Sequence, residues 1–222
     1  MSATQSWQEW FESIWAFREE TLYRQWFGDT GPGIYCLSYD LFRKLGDPSP
    51  DPRWLHHGVF ACPPTPSRPH WAYITSGLSN PWGQEPAGID AQQYSGLGLE
   101  LLLVTPQRAD WAIGSLSWLS AVILQVASGK IRGGLPELGD RIPLRTPVHA
   151  KSAIGHIVLL PPPDPLPAQF KLDSGVADLM LCLGITEDET RFAKANGSDL
   201  LLERLKAADR YPLTDPDRPS IL

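Results

Sequence analysis

The chain has 222 residues, with 19 basic and 25 acidic side chains giving a formal net charge of −6. Hydrophobic content of 42% excludes a disordered chain, and the acidic balance argues against a nucleic-acid binder, which needs clustered cations. The length supports a core that needs neither disulfide nor metal, and 22 prolines with 9 tryptophans predict aromatic-rich elements cut by many abrupt turns.

Residues 5–27 carry Trp7, Trp10, Phe11, Ile14, Trp15 and Leu22 at helical spacing, one apolar stripe stopped at Gly28. The opening MSATQSWQEWFESIW has acids and aromatics where a signal peptide needs a basic start and an apolar run, so a cytoplasmic location is expected. Gly31-Pro32-Gly33 predicts a turn, 34–38 a short strand, 46–52 a loop, 57–62 a second strand and 63–69 an extended proline-rich connection. Residues 70–77 read as a strand and 78–94 as a long polar loop holding Trp82. From Leu97 to Val104 both alternating faces turn apolar after Glu100, the pattern of a central strand covered on two sides.

Asp110 is placed as the cap of a helix to Ser128, with Ala112, Leu116, Leu119, Ile123 and Val126 as its buried stripe. The most apolar run, 113–126, is too short to span a bilayer, so no membrane segment is expected. Residues 154–160 and 176–185 read as further strands. Thr186 with Glu189 forms a capping box opening a helix to Ala195, and Ser198 is expected to cap a last helix to Ala208. Cys36, Cys62 and Cys182 lack CxxC spacing and read as reduced, mostly buried thiols.

Phosphate-cradle, dinucleotide, nucleophile-elbow and HExxH patterns are missing, so no cofactor and no metal is assigned. Glu100 is the unusual residue, because a carboxylate on an apolar strand is costly without a partner. Its readings are pairing with Arg141 or Arg145, contact with a binding partner, or a catalytic pocket shared with His70 and His156. The last is the enzymatic alternative, a small-ligand or hydrolytic site.

Three blocks then stand out: His70-Trp71-Ala72-Tyr73-Ile74-Thr75-Ser76-Gly77-Leu78-Ser79, Ser95-Gly96-Leu97-Gly98-Leu99-Glu100-Leu101, and the WLS-AVIL helix after them. With Gly139-Asp140, the strand 154–160 and Leu181-Cys182-Leu183-Gly184-Ile185-Thr186 leading to Glu189, they resemble the suppressor of fused domain family over roughly residues 30–210. The tryptophan-rich first helix and the prolines of 161–167 depart from the family pattern.

The resemblance implies an α+β domain, a mixed, mostly antiparallel sheet flanked by helices. On that reading 1–29 form an amphipathic helix packed on a domain of 30–210, and 211–222 a tail. Two-domain eukaryotic relatives clamp a transcription-factor peptide as an added strand; stand-alone bacterial members are regarded as immunity proteins that neutralise polymorphic toxins. A non-enzymatic protein-binding role follows, with another protein, a cognate toxin, as partner. His70, Trp71, Tyr73, Gly77, Gly96, Gly98 and Gly184 are the family's structural positions. Trp82, Asp90, Tyr94 and Glu100 are the expected partner contacts.

Overall fold

Both faces of the strand Tyr94–Thr105 are buried, which requires a covering layer on each side of the sheet. The computed structural model, which describes residues 6–144 and 148–222, supplies both layers. The strands are β1 (Tyr35–Cys36), β2 (Gly58–Cys62), β3 (Trp71–Ser76), β4 (Tyr94–Thr105), β5 (Arg141–Pro143), β6 (Ile154–Leu160), β7 (Gln169–Leu172) and β8 (Gly175–Thr186). They form one mixed sheet in the order β1-β2-β3-β4-β8-β6-β5, parallel only between β4 and β8. By register, β7 occupies the edge of β8 opposite β4 at its start, and β6 takes over that edge further along. The α+β sheet flanked by helices is therefore present, with β4 central.

One face lies under the N-terminal helical segment and the helices α5 (Glu187–Asn196) and α6 (Ser198–Ala207), where Leu102 and Val104 meet Trp10, Ile14, Tyr23, Phe27, Leu201 and Leu205. The other lies under α3 (Tyr39–Lys44) and α4 (Asp110–Ala127), where Leu99, Leu101 and Leu103 meet Phe42, Leu116, Leu119 and Ile123. Each fully buried side chain of this size contributes about 1.5–3 kcal/mol, so the two cores dominate the fold's stability. The 18-residue α4 is long and apolar enough to cross a membrane, longer than the run read from the sequence; here it packs on the sheet.

The N-terminal helix departs from its sequence reading. It consists of α1 (Trp7–Ala16), a π-helical stretch Phe17–Tyr23 and α2 (Arg24–Phe27), ending at Gly28. The buried positions run Trp10, Ile14, Arg18, Tyr23, Phe27, steps of four interrupted by one step of five. The wider π turn absorbs the extra residue and keeps one face on the sheet. Trp7, Phe11 and Trp15, predicted on the inward stripe, lie beside it, and Trp15 is 45% exposed.

Three smaller corrections have local causes. Ala109, not Asp110, precedes α4 as its cap; its amide donates to the Tyr73 hydroxyl at 2.6 Å, so a strand side chain replaces a local cap. Gly197, not Ser198, precedes α6, and the Ser198 hydroxyl instead donates to the Gly139 carbonyl at 2.7 Å. Val126 is only half-buried, while Leu124 and Gln125 turn inward. The Thr186–Glu189 capping box forms as read. Cys62 and Cys182 are buried, burial pushing the Cys62 thiol up to about 12, whereas Cys36 is exposed.

Candidate functional site

Alternation along β4 points Glu100 to the same face as Leu102 and Val104, beneath the N-terminal helix. The carboxylate is 0% exposed. Oε2 accepts from the Thr75 hydroxyl at 2.5 Å, and Oε1 from the Gly77 amide (3.1 Å), the Ser79 amide (3.0 Å) and the Ser79 hydroxyl (2.7 Å). Its charge partner is Arg18 of the π stretch, also 0% exposed, with Nη1 3.8 Å away.

Arg18 spends its direct hydrogen bonds on Ser79 (3.0 Å), Asn80 Oδ1 (2.8 Å) and Ser76 (2.7 Å). Glu19 also accepts from the Ser76 hydroxyl and lies 3.6 Å from Arg18; burial raises its pKa against both. Of the pairings read from the sequence, Arg141 is excluded, because its guanidinium donates to Gly139 O and Ser198 Oγ; Arg145 lies outside the described residues. The signal for Arg18 was legible as an arginine four residues after Ile14, in step with Trp10 and Ile14.

This centre sets the segment 76–80, which carries the loop holding Trp82. Gly77 lies against buried His57, where an added Cβ would meet the imidazole at 2.6 Å. Burial lowers His57 to about 4, opposed by the nearby Glu100 charge. At Gly96, φ is +58° and a Cβ would collide with the Asn80 carbonyl, so only glycine lets β4 approach the loop this closely. Gln84 then bridges: its side chain accepts from the Gly96 amide at 2.8 Å and donates to the Tyr94 and Ser174 carbonyls, while its carbonyl accepts from Trp7 Nε1 at 2.8 Å.

Trp82 is half-buried, with ring centroids 4.3 Å from Phe11 and 5.9 Å from Trp7. It divides two cavities. The outer one, about 510 Å³, is lined by Trp7, Phe11, Glu12, Trp15, Cys36 and Trp82 among others. The inner one, about 420 Å³, contains Trp54, His57, Leu97 and Leu124.

Of the other expected contacts, Tyr94 is 54% exposed, its ring packed over Gly98 and its hydroxyl donating to Asp178 at 3.1 Å. Asp90 is exposed at the loop tip, accepting from the Gln92 amide. Glu100 itself reaches no surface and acts from beneath. Trp71 stacks on Tyr73, and Gly184 sits against Thr214, whose hydroxyl accepts from its amide at 2.9 Å.

The proposed Glu100, His70 and His156 pocket does not form. Glu100 pairs with Leu179 of β8, whereas His156 pairs with Ile185 six residues on, about 20 Å along the strand at a rise of about 3.3 Å per residue. His70 precedes Trp71, which pairs with Thr105, five residues along β4 from Glu100 and about 17 Å away by the same rise. Neither distance permits proton transfer.

Comparisons with known proteins agree with this layout. The crystal structure of Drosophila Suppressor of Fused is similar at 19% identity and TM-score 0.58, covering 74% of this chain; the chain spans 42% of that protein. The crystal structure of a Sufu–Fu complex matches at 20% identity and TM-score 0.58 over 82% of this chain and 88% of that one. A Neisseria gonorrhoeae structure described as a suppressor of fused homolog matches at 17% identity and TM-score 0.61, over 97% and 98% respectively. These likenesses show the fold. No curated protein matches the chain. The model of the suppressor of fused protein family matches residues 53–219, three quarters of the sequence, and the chain belongs to that family.

Proposed function

We propose that this chain is a non-catalytic protein-binding module whose partner is a toxin, neutralised by direct binding in the cytoplasm. The observation that carries the binding reading is the outer groove. Trp7, Phe11, Trp15 and Trp82 present aromatic surface to solvent on a support fixed by buried hydrogen bonds, the form of a preorganised recognition site. Two further facts support it: a solved relative has been crystallised as a Sufu–Fu complex, and a net charge of −6 favours encounter with a basic partner.

Co-expression with the product of the neighbouring gene tests the reading. A stable complex on size-exclusion chromatography and restored growth of cells making that product are expected. Absence of both sinks the toxin reading.

A further inference from the structure

The helix α1 is apolar on two sides. Trp10 and Ile14 face the sheet and are buried, and Arg18 continues their line to Glu100. Trp7, Phe11 and Trp15 form a second line at steps of four, which runs from Trp7, packed against the edge of the core, out to exposed Trp15. Trp82 covers the first two rings, with Trp7 and Phe11 stacked at 5.0 Å, and leaves Trp15 open.

Two titratable side chains besides Cys36 line this groove, the carboxylate of Glu12 and the imidazole of His56. Glu12 lines it and forms no ion pair with any described residue; its one hydrogen bond comes from Gln8 Nε2 at 2.9 Å. Arg18 is buried beneath the groove and committed to Ser76, Ser79 and Asn80, while Arg53 is held by Asp51 through contacts of 2.5–3.1 Å and stacks over Trp82 at 5.6 Å on the side of the inner cavity. Trp82 thus already carries one cation on its inner side, while the outer groove combines aromatic faces with an unneutralised carboxylate. Aromatic faces attract cations through their quadrupole, and a carboxylate at the rim adds a directed hydrogen-bond acceptor.

We infer that the outer groove binds a basic, apolar segment of the partner, with an arginine or lysine reaching Glu12 across the aromatic surface and an aliphatic side chain packed beside Trp15. This inference rests on the protein-binding reading and specifies its chemistry. A second copy of this chain is the wrong occupant on charge, since both copies carry −6.

The probes are three 12-residue peptides: alternating Arg and Leu, the same with Glu for Arg, and the same with Ser for Leu. Binding to the full chain is followed by tryptophan fluorescence. The Arg–Leu peptide is expected to bind most tightly and to weaken as salt rises. Glu12→Lys and Trp15→Ser should each weaken it about tenfold, the loss of one central contact, with thermal unfolding unchanged because both side chains are exposed. Equal binding of the Glu–Leu peptide, indifference to both variants, or a concentration-dependent dimer abolished by Trp15→Ser overturns the inference.

The two readings fail separately. A protein partner that binds wild type and both variants alike removes the groove inference and leaves the protein-binding reading. Peptide binding that depends on the groove, with no protein partner captured from the native gene neighbourhood, removes the toxin reading alone.

Discussion

Among the described residues two arginine–glutamate pairs are fully buried, one under the N-terminal helix and one under the C-terminal tail, and they are built in opposite ways. Arg218 meets Glu189 directly, with Nη1–Oε1 and Nη2–Oε2 both at 2.6 Å, a bidentate fork. Glu189 is also the capping-box acid for Thr186, and it accepts from the Ile221 amide, so one carboxylate joins helix start, strand end and tail. Arg18 and Glu100 are 3.8 Å apart, and between them stand the hydroxyls and amides of segment 76–80. The direct pair fastens one chain end to the sheet. The open pair shapes the loop inserted between its charges, and that loop leads to Trp82. A buried ion pair is weak evidence for net stability in itself; what it organises differs with its geometry.

The largest expected effect comes from breaking the open pair. Glu100→Ala leaves Arg18 charged and buried and frees four donors, and should cost about 4 kcal/mol in urea unfolding. A cost below about 1 kcal/mol would mean that hydroxyls alone hold the segment. Arg218→Ala should cost about 3 kcal/mol and, unlike Glu100→Ala, speed hydrogen exchange at the Gly184 amide, because Gly184 loses the bond from Arg218 to its carbonyl and the tail that covers it loses its ion pair. Unchanged exchange there would show that the tail is held elsewhere.

His57 adds a pH dependence confined to the open pair's side. The unfolded chain takes up this proton near the ordinary value of 6.5 and the folded chain only near 4, so in that interval the unfolded state binds more protons. The stability contribution is full above about pH 6.5 and drains away towards pH 4, about 2 kcal/mol being lost by pH 5. His57→Gln should remove that part of the pH 7 to pH 5 difference, and identical slopes in the two proteins would refute the assignment. The smallest effect is Gly184→Ala, whose Cβ would meet Thr214 Cγ2 at 2.5 Å and Ile154 Cγ2 at 2.7 Å. Side chains yield more readily than backbone, so about 1 kcal/mol is expected in thermal unfolding. A cost as large as that of Arg218→Ala would make the tail as rigid as the sheet.

The sequence by itself determined the strands 154–160 and 176–185, the central character of β4, the capping box at Thr186 and the family, because period-two patterning, local caps and short motifs are written within a few residues. It also marked Glu100 as a carboxylate in need of a partner. Which partner answered was a tertiary decision: Arg18 lies 82 residues away, and the π turn that brings both Arg18 and Tyr23 inward breaks the fixed 3.6-residue period on which a helical reading depends. Within the regular α1, Trp7, Phe11 and Trp15 fall one position off the line of Trp10 and Ile14, on a face of their own. Nine tryptophans could be counted from the start, but their division between core and open groove was set by the sheet, which accommodates only one side of the helix.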